Sequence, residues 1–304
     1  MRLGITLAPV RRKCGEMEAL RRIREARFDC VDYSFHDMEP EWLGQGYLEY
    51  ARRLREELER LGLKCAQAHA PFRFQFGGRM MAQEHAWSEV VRAMEAASVL
   101  GAGCIVVHSV LTPAGVDLTE YNLRFFKSLE EYCERFQICI GFENIFDYDS
   151  FGRCMGRFST PEQVKGFLNE LNSPWFAACL DVGHAAIAGE KPEHFIRGMD
   201  ADTLRLLHIQ DTDYMDDRHQ LPYLGLHDWE EICRALAEIG YSGDVTFEIP
   251  GYLRRMPPEL IPEALALAGE LAALLPWPVC AGSLQRGKWT CLSSCGAAGI
   301  STPA

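Results

Sequence analysis

Short apolar runs rich in β-branched residues recur along the chain, and between them apolar residues return every three or four positions. The first pattern predicts buried strands and the second predicts amphipathic helices. Strands are predicted at residues 2–8, 30–35, 64–70, 104–109, 139–145, 176–184, 205–211 and 244–250. Helices are predicted at about 16–27, 47–62, 82–101, 119–136, 160–171, 192–201, 228–239 and 258–275. Thr160-Pro161-Glu162 supplies an N-cap followed by a proline at the first helical position, and Gly62 and Gly240 follow their helices as C-caps.

Eight alternating strand–helix units predict an α/β fold, a closed (β/α)8 TIM barrel forming a single domain over residues 1–275. The alternative, an open doubly wound sheet, calls for a Gly-rich phosphate turn after the first strand, which LAPVRRKCGE does not provide. Residues 276–304 contain no Asp or Glu and no sustained period, so an irregular C-terminal tail is expected there. Within it, Cys291 and Cys295 have no further ligand at zinc spacing.

Composition narrows the classes. With 48% apolar residues in 304, the chain can bury a full core, and no run reaches the roughly 18 apolar residues of a membrane span. The N-terminus enters a strand-like run with no signal-peptide pattern, so a cytoplasmic protein without a membrane partner is expected. Most of the 12 cysteines, such as Cys65, Cys104, Cys139 and Cys179, sit inside apolar runs and read as reduced, buried thiols. A net charge of −12 argues against a broad basic surface for nucleic acid and agrees with a cation site and a small substrate.

Ionisable residues cluster where the apolar runs end. His69, His108, Glu143, Asp181, His184, His208 and Glu248 all fall at or just after such an end. In a parallel barrel these ends converge, and burying so many ionisable groups is costly unless a cation compensates them. A metal-dependent enzyme is therefore expected. Glu143, Asp181, His208 and Glu248 close the fifth to eighth predicted strands and form a hard donor set suited to Mn2+, Co2+ or Zn2+. His69, His108, His184 and the pair Asp217 and His219 extend the set, either as ligands to a total of one to three ions or as substrate-orienting groups.

His184 and Arg218 are candidates for binding substrate. Arg73, Arg79, Arg153 and Arg157 add positive charge to the strand-end loops, enough to hold a carboxylate or sugar phosphate. His36 could face the same mouth, whereas His85, His194 and His227 are expected at the surface. There is no GxSxG elbow and no Walker sequence.

The motifs AHAPF (68–72), VVHS (106–109), FEN (142–144), LDVGHAAIAG (180–189), LHIQDTD (207–213), DDRHQLPYLGLHDW (216–229) and FEIPG (247–251) carry a resemblance. The chain resembles the xylose isomerase-like barrel superfamily, which groups sugar and sugar phosphate isomerases and epimerases with enzymes of the endonuclease IV type. In the ketose epimerases a single divalent ion is held by a Glu, Asp, His and Glu, here Glu143, Asp181, His208 and Glu248, and the two glutamates double as acid and base. In the endonuclease branch five more ligands complete a three-zinc site, and those positions are filled here by His69, His108, His184, Asp217 and His219.

Two departures from these patterns are visible. Epimerases usually carry a Glu and an Arg shortly after the strand-seven histidine, where this chain has Asp211 and Arg218 as nearest equivalents. The endonuclease branch usually has longer strand-end loops than those expected here after strands one and four. The resemblance implies a metal-dependent isomerase or epimerase of a sugar, sugar phosphate or polyol, working through an enediolate. The alternative is an endonuclease IV-like phosphodiesterase acting on abasic DNA. A small-molecule sugar partner and a homo-oligomer are implied, and nucleic acid is not expected. A barrel that binds without catalysing is a third reading, disfavoured by the intact carboxylates of strands five and eight.

Overall fold

The strand-forming runs pair side by side, all parallel, until the last meets the first. In the computed structural model, which describes residues 1–36, 39–72, 83–110, 115–148 and 154–278, the strands in chain order are β1 (Leu3–Thr6), β2 (Cys30–Ser34), β3 (Lys64–His69), β4 (Cys104–Val107), β5 (Cys139–Glu143), β6 (Ile145–Tyr148), β7 (Cys154–Arg157), β8 (Phe176–Asp181), β9 (Leu204–Ile209) and β10 (Val245–Phe247). The barrel runs β1-β10-β9-β8-β5-β4-β3-β2, and β1 closes it by pairing Ile5 with both Val31 and Phe247. This is the predicted (β/α)8 architecture. Strands β6 and β7 stand apart as an antiparallel pair, where the sequence reading placed no strand between residues 145 and 176.

The helices are α1 (Ala8–Cys14), α2 (Glu16–Glu25), α3 (Pro40–Leu43), α4 (Tyr47–Leu61), α5 (Gln83–Leu100), α6 (Leu118–Lys127), α7 (Glu130–Phe136), α8 (Pro161–Leu171), α9 (Val182–Ile187), α10 (Pro192–Arg197), α11 (Trp229–Glu238), α12 (Pro250–Arg254) and α13 (Ile261–Leu274). Thr160 caps α8 as expected: its hydroxyl accepts from the Gln163 amide at 3.3 Å while the Gln163 side chain accepts from the Thr160 amide. Gly62 ends α4 in the left-handed conformation.

Four expectations are corrected. The loop after the first strand is α1. The helix predicted over 119–136 is broken into α6 and α7 at Ser128, whose hydroxyl bonds back to the Phe125 carbonyl at 2.6 Å. The strand predicted over 176–184 stops at Asp181, because the Asp181 carboxylate accepts from the His184 amide at 2.8 Å and starts α9. The predicted strand 244–250 stops at Phe247, and α12 takes over from Pro250.

Inside the barrel, Val106, Cys179 and Leu206 form a small apolar layer. Leu206 needs Gly141 opposite it, since a Cβ there would lie 2.8 Å from Leu206 Cδ1. Cys179 and Leu206 each precede a site residue, Asp181 and His208, by two positions on the same strand face. This layer is the floor of the site.

Eight cysteines are free among the described residues. Of the expected C-terminal tail, residues 279–304 lie outside the described part. Trp277, just before them, donates to the Ala272 carbonyl at 2.7 Å and packs edge-on against Phe247. Among the described residues no helix is long and apolar enough to cross a membrane.

Candidate metal centre

All nine anticipated ligands come together at the C-terminal ends of the barrel strands. Glu143 ends β5, Asp181 ends β8, His208 lies in β9 and Glu248 follows β10. His208 Nδ1 lies 3.0 Å from Glu143 Oε1 and 3.2 Å from Glu248 Oε2. His69, from β3, places Nε2 3.9 Å from both glutamates. His108 contacts Glu143 Oε2 at 2.6 Å. Ligand atoms of His69, Glu143, His208 and Glu248 all lie within 4.8 Å of one another, as do those of Asp181, His219 and Glu248.

A second set, His184, Asp217 and His219, meets the same criterion. His184 lies one turn into α9, and Asp217 and His219 come from the loop after β9. Asp217 bonds His219 Nε2 at 3.0 Å, and His184 Nδ1 sits 3.4 Å from Glu143, so the two sets are continuous. Asp217 and His219, two apart in this loop, meet through that direct bond, with His219 in the left-handed backbone conformation.

Four residues that sequence reasoning did not single out hold this cluster in place. The fully buried Asp32 of β2 bonds His69 Nδ1 at 2.8 Å, which leaves Nε2 to face the glutamates. Gln67, two residues before His69 and therefore on the same face, lies 2.7 Å from His208 Nε2. Asn144 brackets Asp181: its Oδ1 accepts from the Asp181 amide at 2.7 Å and its Nδ2 donates to the Asp181 carbonyl. Gln210 donates to Asp181 and to Asp217 at 3.0–3.2 Å and accepts from the His219 amide. Gly183 makes room for it, since a Cβ there would sit 2.4 Å from the Gln210 side chain. The available signals were strand alternation for Gln67 and Gln210 and adjacency for Asn144. Asp32 offered only a carboxylate inside an apolar run.

Burial pushes the Glu143 carboxyl up, but His108 and His208 beside it overcome this and hold it well below the ordinary range. Glu248 is likewise held low, with His208 and His219 outweighing its burial. Asp181 goes the other way, because burial outweighs the help of His184 and His219. Burial opposes charge on His219, yet Asp217 raises it to about 9. His184 is raised well above its usual value by Asp181 and Asp217 in the same way. Protons on the imidazoles thus stand in for positive charge that a divalent cation would supply.

Other expectations fall elsewhere. The Arg218 guanidinium, between Asp217 and His219 in sequence, is half exposed and pairs with Asp213 at 2.7 Å and Asp216 at 3.3 Å. Asp211 is buried as a loop clamp, accepting from the amides of Thr212, Tyr223 and His227 and from the Trp229 indole. His36 stacks on Phe72 at 4.0 Å, and Phe72 stacks on His108 at 4.7 Å, so His36 does reach the mouth. His194 is exposed as expected, but His227 is buried beside Tyr214 and Trp229, where burial pushes it down to about 4. Arg157 is largely buried, 3.7 Å from Asp147. Arg73, Arg79, Arg153 and the His85 side chain lie outside the described residues.

Four carboxylates and five imidazoles in one largely buried cluster fit a divalent metal, with the Asp32 and Gln210 bonds orienting the donors. The chain belongs to the xylose isomerase-like TIM barrel family, whose model matches residues 20–271. It is similar to an uncharacterised protein of Methanocaldococcus jannaschii, with 27% identity over 163 residues, 51% of this chain and 54% of the relative. The chain thus spans about half the length of that relative. Two solved structures share the fold. One is a D-tagatose 3-epimerase-like protein (TM-score 0.67, 23% identity, 89% of this chain and 99% of the other). The second is the IolI protein with a bound zinc atom (TM-score 0.72, 19% identity, 90% of this chain and 99% of the other).

Proposed function

We propose that this barrel is a divalent-metal-dependent isomerase or epimerase acting on a small sugar, sugar phosphate or polyol. The observation that carries the reading is the pair Glu143 and Glu248, two carboxylates from opposite sides of the β8–β9 floor that flank the same His208 ring at 3.0 and 3.2 Å. Glu143, Asp181, His208 and Glu248 would hold Mn2+, Co2+ or Zn2+, which supplies the charge that polarises a substrate carbonyl and its neighbouring hydroxyl. His69, His108, His184, Asp217 and His219 extend the capacity to two or three ions.

Glu248 retains 15% side-chain exposure against 1% for Glu143, so Glu248 is the carboxylate that meets substrate entering from the mouth. It removes the proton next to the carbonyl, giving an enediolate. Return of a proton by Glu143 to the opposite face of the same carbon gives an epimer, and return to the neighbouring carbon gives an aldose–ketose isomer. The neighbouring D-tagatose 3-epimerase-like barrel supports this class of substrate.

The test is proton NMR in D2O with metal-reconstituted protein and a panel of ketoses, their phosphates, inosose-type polyols and hydroxypyruvate. Metal-dependent deuterium uptake beside a carbonyl is expected. Bound metal with no exchange on any compound sinks the proposal. The second ligand set, His184, Asp217 and His219, favours one alternative, phosphodiester hydrolysis at abasic DNA. That reading predicts about three bound zinc ions and cleavage of an abasic duplex.

A further inference from the structure

A thiol pair lies at the other end of the barrel, unused by the proposed reaction. Cys104 opens β4 and Cys139 opens β5, and the two are direct partners in the parallel register. Alternation turns both inward: Cys139 is four positions before Glu143, and Cys104 is two before Val106, packing against the Val106–Cys179–Leu206 layer. Neighbouring strands lie about 4.8 Å apart, inside the roughly 4.4–6.8 Å between Cα atoms that a disulfide spans. The register therefore sets the two thiols at a spacing compatible with a disulfide.

A cation completes the arrangement. Arg205 at the start of β9 brings Nη1 to 3.7 Å from Cys139 Sγ. Arg205 is itself exposed and lines a cavity of about 360 Å³ with Phe176, Asp202 and Thr203, so solvent reaches the guanidinium. Burial pushes Cys133, Cys179 and Cys233 up to about 12, Cys179 despite the His208 ring 3.5 Å from its sulfur. Cys139 is pushed down instead, by the Cys104 thiol and by Arg205 against its burial. Cys139 is itself buried and Cys104 half-buried, and a cation beside a thiol favours the reactive thiolate.

We propose that Cys104 and Cys139 form a peroxide-sensitive dithiol that closes to a disulfide at the N-terminal end of the barrel. The Cys139 thiolate attacks one oxygen of a hydroperoxide and the O–O bond breaks. With hydrogen peroxide the departing hydroxide takes a proton from solvent and leaves as water, and Cys139 becomes a sulfenic acid. The Cys104 sulfur then attacks the sulfenic sulfur. The S–S bond forms, the S–O bond breaks, and the hydroxyl leaves with the Cys104 proton as a second water. The two thiols lose two electrons in total, and the peroxide accepts them.

The test uses the intact, folded protein. It is exposed to hydrogen peroxide for increasing times, remaining thiols are alkylated after unfolding, and the digest is mapped by mass spectrometry. Cys139 is expected to disappear at least tenfold faster than Cys179 or Cys233, with a Cys104–Cys139 linked peptide growing in step and lost on reduction with dithiothreitol. Equal rates for the three cysteines, or loss of Cys139 with no linked peptide, overturn the proposal. The comparison is made within one molecule and needs no variant. As a second arm, Arg205→Met is expected to slow loss of Cys139 several-fold while Cys104→Ser halts it at a sulfenic acid trappable by dimedone.

Discussion

At the N-terminal end of the barrel Arg2 closes on Asp244 through its amide, Nε and Nη2 at 2.5–3.1 Å, and Tyr241 donates to the Asp244 carbonyl at 2.8 Å. The charge of Arg2 there is matched by a fixed opposite charge within the protein. At the C-terminal end the carboxylates of Glu143, Asp181, Asp217 and Glu248 face imidazoles, whose charge depends on bound protons. One end is electrostatically finished and the other is held together by exchangeable protons. A barrel stores stability at the first end and chemistry at the second, and the difference lies in what neutralises the buried charge rather than in how much charge is buried.

Four variants test this contrast. Glu248→Gln removes a proton carrier while keeping the shape, and turnover is expected to fall by about 10²–10⁴-fold with an unchanged circular dichroism spectrum; full activity would remove Glu248 from the reaction. Asp32→Asn takes away the carboxylate that fixes His69, and chelator competition with Co2+ should show affinity weakened by about 10–100-fold. Unchanged Co2+ affinity would make Asp32 a mere packing residue.

His227 sharpens the comparison from within the mouth, since His219 in the same loop is raised to about 9 while His227 is lowered to about 4. His227 stays neutral when folded but takes a proton when unfolded below its ordinary 6.5. Its contribution to stability is therefore present above pH 6.5 and is lost as the pH falls towards 4. His227→Gln should flatten the decline of urea-unfolding stability across that window by up to ~1.4 kcal/mol per pH unit. A slope equal to that of the parent protein would contradict the assignment. Asp244→Ala, at the finished end, should lower stability by about 1 kcal/mol and leave turnover and metal affinity alone. A loss of metal affinity there would mean that the two ends are coupled.

The eight barrel strands and the seven candidate site residues that close them were legible in the sequence because buried parallel strands give continuous apolar runs, and an ionisable residue closing such a run is conspicuous, whereas Asp217 and His219 stood out only by their spacing. The elements that escaped are those too short to show a period. α1 has seven residues, α9 six and α12 five, fewer than the two turns over which a helical stripe becomes visible. The run from Phe176 to His184 stays buried through the change from strand to helix, so hydrophobicity carries no mark of the boundary. Asp32, Gln67 and Gln210 were missed for a related reason. Their partners come from other strands, and a single polar residue inside an apolar run says nothing of what stands across the barrel.

Asp181 carries two duties on one side chain. One oxygen begins α9 by accepting the His184 amide, and the same carboxylate belongs to the side-chain group proposed to hold the metal. An extra methylene at this position would draw the carboxylate away from the amide three residues on, so Glu cannot inherit the post although it bears the same charge. Proposed metal ligand and folding signal are thereby spelled by one codon. Any lineage that abandons the chemistry at Asp181 must also find another way to begin the helix that carries His184, and this ties the loss of one ligand to the displacement of a second.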